Sequence, residues 1–370
     1  MSRTYASLLV LTFCALLALP GATLLIWRQP QQLPKVAEVT CPPFQPTLEW
    51  LAAAEKYFIA NFGLKRRLVQ LHNIIGYRVV GDLQSNSVLA GRDGWLFLKQ
   101  SFGWQSFRAE KPLSVAERQG WEAPLRAARR ELARRQIPFL YVIAPSKETV
   151  HPEHLPASAT RARSVTRLDE MLPLLSELGI DHLDLRSPLR DAAPAGALYD
   201  KLDSHWNGRG GEIATRLILE RTAALLWLPP GYAAPSWHVA QRRSPNDLGA
   251  LLALDEYLVE DSNEVLPNER RAVRLEPPEA KTLSISDRPK RLVFQVADPS
   301  LPKALIVRDS FGTMLVPPLA EKFRRSVWLW TRDFDFRLLD KEKPDIVIYE
   351  ITERLFHDDP PKALLPRARR

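Results

Sequence analysis

Cysteine is nearly absent: the 370-residue chain has two, Cys14 and Cys41. Cys14 lies inside an apolar run, so the folded body holds no internal disulfide unless Cys41 pairs across chains. The same count excludes a paired CxxC zinc site and a thiol-redox motif. A body with one cysteine is indifferent to an oxidising compartment, so an extracytoplasmic location stays open. Glycine is scarce beside proline, 16 against 31, which favours rigid connections over flexible linkers. Histidine numbers 7, so candidates for imidazole chemistry are few. No repeat of solenoid length is present. No basic stripe interleaved with aromatics marks a nucleic-acid surface, and nucleic acid is not an expected partner.

What is present describes a globular chain. Hydrophobic residues make up 45% and charged residues 25%, which excludes global disorder and collagen-like structure. At about 150 residues per domain the length allows two or so units and a sizeable core. Lys plus Arg number 51 against 43 Asp plus Glu, a formal net charge of +8. That balance suits anionic partners of several kinds (nucleic acid, a lipid surface, an acidic polymer) and selects none of them.

Residues 1–30 stand apart. From Thr4 to Trp27 no side chain is charged, and the apolar run from Ala6 to Trp27 would reach about 33 Å as a helix. A hydrocarbon layer is roughly 30 Å thick, so a transmembrane anchor is expected, with Trp27 and Arg28 at its interface. A cleaved signal peptide with a cut near Ala22 is the alternative, although Leu24 to Trp27 continue the apolar run beyond it. Residues 31–90 read as a proline-rich spacer, with Pro34, Pro42, Pro43 and Pro46, followed by a helical lead-in from Thr47 to about Tyr77.

Residues 91–370 carry the main pattern. Asp93-Gly94 turns into the apolar WLFL. Buried strands are expected at FLYVIAP (Phe139–Pro145), within Asp181–Leu189, at KALIVR (Lys303–Arg308), at Ser326–Trp330 and at DIVIYEI (Asp345–Ile351). Helices are expected from Ser114 to about Arg135, opened by a Ser114/Glu117 capping box and kinked or split at Pro124. Others cover Val165–Leu178, with a kink at Pro173, Gly211–Trp227, and Gly312 to about Phe323. Strands alternating with helices indicate an α/β/α sandwich of three layers around a parallel sheet. The charged segment from about Pro229 to Pro302 breaks that rhythm and reads as a β-rich insertion.

Chemistry in such a sheet collects at the carboxyl ends of strands. Two places qualify. In ALIVRDSFG a buried strand ends at Arg308-Asp309-Ser310, so Ser310 would stand near amides able to hold an oxyanion. A plain helix cap is the bland reading. In YDKLDSHWNGRGG, Asp203 and His205 have the spacing at which a carboxylate holds one imidazole nitrogen and leaves the other for a nucleophile. Structural hydrogen bonding is the bland reading there. Pro152 between His151 and His154 denies them the one-face spacing of a zinc helix, and neither metal nor cofactor is expected. Trp95 and Trp206 offer sugar-stacking faces, though buried tryptophans are commoner. Arg129-Arg130 and Arg134-Arg135 read as a solvated helix face.

Taken in order, GRDGWLFL, IAPSKETVHPEHLP, DSHWN, RDSFG and PDIVIYEITER resemble the alginate O-acetyltransferase family, of the AlgJ/AlgX type with an SGNH-hydrolase-like domain. The resemblance covers roughly Trp50 to Phe356. It implies Ser310 as nucleophile, His205 as general base and Asp203 as its orienting acid, with the Asp-His block ahead of the Ser block, the reverse of ordinary SGNH enzymes. It implies an inner-membrane, single-pass protein whose catalytic domain lies in the periplasm. It further implies a polysaccharide acceptor and a membrane-bound O-acyltransferase that supplies acetyl groups. An oxyanion hole of the Ser310 amide with an arginine and a tyrosine points to Arg332 and Tyr349, with Arg308 as a further candidate. Two departures are visible. Arg308 stands where the family pattern has glycine, and no carbohydrate-binding module is expected beyond ITERLFHDDPP. A polysaccharide deacetylase or esterase with the same triad, and a non-catalytic scaffold of a secretion complex, remain alternatives.

Overall fold

The computed structural model describes residues 43, 47–62, 64–81, 83, 85–275 and 291–364. The expected anchor at residues 1–30 lies outside them. Among the described residues no helix is long and apolar enough to cross a membrane. Contacts divide the chain into two units, one ending at Val80 and one beginning at Gly81. The first contains helices Leu48–Asn61 and Lys65–Ile75, with Thr47 capping the former through the Trp50 N–H.

The second unit contains the expected strands. A hairpin joins β1 (Val88–Ala90) to β2 (Leu96–Leu98). The main sheet draws on β3 (Phe139–Ala144) and β4 (Asp181–Asp184). The insertion supplies a separate hairpin, β5 (Trp237–Arg243) with β6 (Asp261–Pro267). It also supplies β7 (Val273–Arg274) and β8 (Arg291–Gln295). Then follow β9 (Lys303–Arg308), β10 (Arg325–Trp330), β11 (Phe334–Asp335), β12 (Ile346–Thr352) and β13 (Ala363–Leu364). The seven-stranded sheet runs β4-β3-β12-β9-β10-β8-β7.

The pairings among β4, β3, β12, β9 and β10 are parallel, whereas β8 runs antiparallel to both its neighbours, β10 and β7. The expected parallel sheet is therefore a mixed one. Residues 296–302 link β8 to β9 and are too few for a crossover, which needs about a dozen residues, so β8 runs the other way.

Each central strand feeds two cores by alternation. Leu140, Val142, Ile306 and Ile348 point to one face, where Ala214, Ile218 and Leu219 of helix Gly208–Leu226 cover them. Tyr141, Ile143, Val307 and Tyr349 point to the other face. There they meet Trp121, Leu125 and Leu132 of helix Val115–Arg134 and Met171 and Leu175 of helix Arg167–Glu177. This is the three-layer α/β/α arrangement.

Helix Val115–Arg134 opens with the Ser114/Glu117 capping box and continues through Pro124. The interior proline costs about 3 kcal/mol, but each large apolar side chain buried alongside it returns roughly 1.5–3 kcal/mol. Packing prevails. The expected helix after Gly312 is instead a 3-10 turn, Phe311–Thr313, and a short helix, Val316–Ala320. Pro317 and Pro318 have no N–H to continue the first turn, so the chain restarts at Val316.

Candidate active site

Ser310 follows the carboxyl end of β9 and precedes the 3-10 turn at Phe311, with helical backbone angles of φ −68 and ψ −28. The preceding residue fixes it. Asp309 Oδ1 accepts the Phe311 N–H at 2.8 Å, and its Oδ2 accepts the Thr352 N–H at 2.8 Å and hydroxyl at 2.5 Å. Its own N–H donates to Glu350 Oε2 at 3.1 Å. Asp309 therefore binds the turn to the end of β12. Arg308 is buried, donates to the Asp309 carbonyl and the Thr313 hydroxyl at 3.0 Å each, and lies 4.5 Å over the Trp330 ring. A Cβ on Gly312 would sit 2.7 Å from Arg308 Cβ and 2.9 Å from Glu350 Oε2. The turn needs its glycine there, two residues after the serine. Among the described residues no acceptor takes the Ser310 N–H.

The Asp-His loop precedes helix Gly208–Leu226, which Asn207 caps by accepting the Arg209 and Gly210 N–H groups. A bridge between Tyr199 and Trp206 closes the loop. The Asp203 Oδ1 accepts both the His205 N–H at 3.0 Å and its Nδ1–H at 2.8 Å. Ring and backbone are thus held by one oxygen, and the tautomer with Nε2 free follows.

A second carboxylate arrives from the insertion. Asp247 accepts the Ser204 N–H at 2.7 Å and hydroxyl at 2.5 Å, and its Oδ2 lies 3.5 Å from His205 Nδ1. Its N–H donates to Asp203 Oδ2 at 3.1 Å. Beneath the loop, the buried Lys147 ammonium donates to the carbonyls of Leu96, Lys201 and Asp203 at 2.7, 2.8 and 3.0 Å. It also lies over the Trp95 and Phe97 rings at 4.9 and 5.2 Å.

The two segments meet at Phe311. Trp206 Nε1–H donates to the Phe311 carbonyl at 3.1 Å, and the His205 and Phe311 ring centroids are 5.0 Å apart. Arg354, buried and just past β12, places its guanidinium 5.3 Å over the same ring. Its Nε and the His205 Nε2 are buried without a hydrogen-bond partner, so no bond yet joins His205 to Ser310.

Burial works against ionised Asp203, but the His205 hydrogen bond and charge outweigh it and hold the carboxyl well below its usual range. Burial alone would lower His205. The Asp203 hydrogen bond and the charges of Asp203 and Asp247 reverse this, and the imidazole is raised. Asp247 is raised, by burial first and by the Asp203 charge second. Burial lowers Lys147 to about 8.

Other expected residues lie elsewhere. Tyr349 stacks between Tyr141 and Phe334 in the far core, and its hydroxyl donates to the Arg332 carbonyl at 2.8 Å. Strand alternation puts it on the face opposite the residues that pack with Phe311. Arg332 pairs with Asp358 at 3.0 Å and donates to the Asp359 carbonyl. Arg308 is engaged in the turn itself. The hydrogen bonds described for these three residues run to the scaffold. His151 accepts the Leu198 N–H on Nε2 and bonds Glu153 through Nδ1, so both ring nitrogens are occupied. Trp95 and Trp206 are buried and present no sugar-stacking face. Asp247, Lys147 and Arg354 were not singled out from sequence. Asp247 sits 44 residues from the carboxylate it touches, inside the stretch that reads as a β-rich insertion.

Comparison with known proteins places the chain. The family described as SGNH hydrolase-like domain, acetyltransferase AlgX, matches residues 88–332, more than half of the chain. The chain belongs to this family. It is 29% identical over 206 residues to the probable alginate O-acetylase AlgJ of Pseudomonas aeruginosa, covering 55% of this chain and 50% of that protein. With the Pseudomonas syringae protein of the same name it shares 25% over 215 residues, or 56% and 51% of the two chains. The chain spans about half the length of the curated relatives it matches. Among solved structures it resembles Bacillus cereus PatB1, with a TM-score of 0.55 and 15% identity over 73% of this chain and 96% of that one. The O-acetyltransferase domain of Pseudomonas putida AlgJ gives 0.50 and 17% over 74% and 93%. At these identities the structures show the AlgX-type α/β fold.

The Lys147 contacts generate a stability test. Its folded value of about 8 lies below the ~10.4 of a free lysine, so the unfolded chain binds more protons between those values. Stability should therefore rise with pH across that window. Lys147→Met should lower stability by about 2 kcal/mol near pH 7, because buried carbonyls lose their donor, and should flatten the rise. Urea unfolding from pH 7 to 10.5 measures both; parallel curves for parent and variant would refute the assignment.

Proposed function

We propose that the chain is an O-acetyltransferase that moves acetyl groups onto hydroxyls of an exopolysaccharide through Ser310, His205 and Asp203. The observation that carries this reading is the Asp203–His205 pair with its free Nε2, packed on the residue that follows Ser310. Membership of the AlgX family and the names of the relatives support it.

In the first step Nε2 takes the Ser310 hydroxyl proton as Oγ attacks an acetyl carbonyl. The missing His205–Ser310 bond is of the kind that tightens once substrate is bound. Asp203 remains ionised and stabilises the imidazolium. The developing oxyanion faces the unpaired Ser310 N–H, and Arg354 supplies positive charge from beside Phe311. The imidazolium then protonates the departing donor group. Acetyl-serine remains. In the second step His205 deprotonates a sugar hydroxyl, which attacks the acetyl carbonyl and regenerates Ser310. In this proposal the reaction runs in the periplasm of a bacterium, on a domain tethered by the apolar segment at residues 1–30. A membrane-bound O-acyltransferase supplies the acetyl group.

Ser310→Ala should abolish acetyl turnover by the full chain without changing its unfolding midpoint. Acetyl release from an activated ester with and without glycan separates transfer from hydrolysis. Acceptor-dependent acetylation supports the proposal, whereas equal release without glycan makes the protein an esterase. An active Ser310→Ala variant removes the serine from the mechanism, and turnover absent from the parent leaves a scaffold.

The raised His205 fixes the pH response. The base must be neutral, so the rate should climb with pH and reach half its maximum above the ~6.5 of a free histidine. Asp203→Asn removes the main charge that raises the imidazole. Besides slowing the reaction, it should move that midpoint downward; an unmoved midpoint would detach Asp203 from His205.

Arg354→Ala should reduce kcat by about 10²–10³, the usual effect of losing an oxyanion donor. Tyr349→Phe should leave kcat near the parent value and cost about 1 kcal/mol of stability through its lost hydrogen bond. The opposite ranking in steady-state assays would restore Tyr349 to the site.

A further inference from the structure

Three carboxylates fasten the loop that carries Asp203 and His205, and two of them come from the insertion. Glu260 accepts the Lys201 and Leu202 N–H groups at 3.0 and 2.6 Å. Asp247 accepts the Ser204 N–H at 2.7 Å, and Asp203 itself takes the His205 N–H at 3.0 Å. Bonds run the other way as well. The Asp247 N–H donates to Asp203 Oδ2 and the Leu248 N–H to the Leu202 carbonyl, both at 3.1 Å. The segment that carries Asp247 is itself fixed. Asn246 adopts a left-handed φ of 55° and caps the helix Asp247–Leu251 by accepting the Gly249 N–H at 2.9 Å, a conformation that asparagine adopts more readily than most residues. Leu248 is fully buried.

Two carboxylate oxygens therefore face His205 Nδ1 from separate parts of the chain. Asp203 Oδ1 stands at 2.8 Å and Asp247 Oδ2 at 3.5 Å. The second contact is too long for a good hydrogen bond, but it is less than an ångström longer than the first. Charge favours an exchange between them. Burial, then the Asp203 charge, raises the Asp247 carboxyl, whereas the His205 charge and the Ser204 bonds lower it. Loss of the Asp203 charge removes one raising cause and leaves the lowering ones in place, so Asp247 ionises more easily. The other charges near the ring are the Arg354 guanidinium, which opposes an imidazolium, and the Lys147 ammonium beneath the loop.

We propose that Asp247 is a positioning residue for His205: a second orienting acid, supplied by the insertion, that accepts the Nδ1–H when Asp203 does not. Nδ1 then keeps its proton and Nε2 stays the free nitrogen. The consequence for turnover rests on the transferase reading; the contact with the imidazole does not.

The full chain is compared in four forms: parent, Asp203→Asn, Asp247→Asn and the double substitution. Asp247→Asn keeps an oxygen to accept the Ser204 N–H, so it removes charge and leaves the loop fastened. NMR of labelled histidine, with His205 assigned against His205→Gln, follows the imidazole titration without turnover. Asp247→Asn should lower the imidazole pKa in the parent and lower it again in the Asp203→Asn background. Its cost to acetyl turnover should be about tenfold larger in the Asp203→Asn background than in the parent, a coupling of the size found between residues in contact. An imidazole unmoved by Asp247→Asn in both backgrounds would overturn the proposal, as would an equal cost to turnover in the two. Should Asp203→Asn lose its fold, as read from its unfolding midpoint, the imidazole shift in Asp247→Asn alone decides. Imidazole titrations that respond to Asp247→Asn in a parent that never turns over an acetyl ester would uphold the contact and sink the transferase reading.

Discussion

The hydrogen bond from Trp206 Nε1 to the Phe311 carbonyl joins segments 105 residues apart, and the geometry of the site depends on it. Trp206 closes the Asp-His loop through its bridge to Tyr199, while Phe311 is the first residue after the candidate nucleophile. Any displacement of one segment is therefore transmitted to the other. Phe311 is fully buried, and the His205 ring and the Arg354 guanidinium both pack on it. The residue next to the serine thus serves as the common surface for the imidazole and the Arg354 guanidinium, and fixes both relative to the turn.

Around that contact several buried polar groups hold loops in place. Lys147 satisfies three carbonyls from two separate segments, and Asp309 satisfies three donors from its own turn and from β12. Buried networks of this kind specify one arrangement when every member is paired and are costly when one is removed. His205 Nε2 and Arg354 Nε, at the meeting point, are among the buried atoms without a hydrogen-bond partner. An unsatisfied buried polar atom costs about 1–3 kcal/mol, a cost that a reacting partner would relieve.

The central strands were legible because burial on both faces leaves uninterrupted apolar runs. KALIVR corresponds to β9 residue for residue, and FLYVIA to β3. The Asp203–His205 spacing was legible because a contact over two residues is local. The antiparallel turn of β8 was less so, since RLVFQ carries no mark of direction and only the short link to β9 dictates it. The surroundings of the expected oxyanion donors were hidden for a related reason. Tyr349 and Arg354 are five residues apart around the same strand end, and a sequence does not show that alternation sends one into the far core while the next turn brings the other back over Phe311. Asp247 and Lys147 act through tertiary contacts with a loop that neither adjoins in sequence.

The departure at Arg308 is resolved by the same local physics. With a bulky residue at the strand end, the Arg308 stem and Glu350 fill the space beside Gly312, so a Cβ is excluded there. The arginine then braces the turn by bonding Asp309 and Thr313 from beneath. The acids around His205 show a comparable division. Asp203 accepts both His205 donors and is held ionised, whereas Asp247, buried beside that charge, is pushed upward. Two neighbouring carboxyls with opposite shifts hold different groups: one holds the His205 ring and backbone, and the other fixes Ser204 and the loop that carries it. The charge of Asp203 opposes ionisation of Asp247, and burial adds to it, whereas the His205 donors favour the ionised form of Asp203.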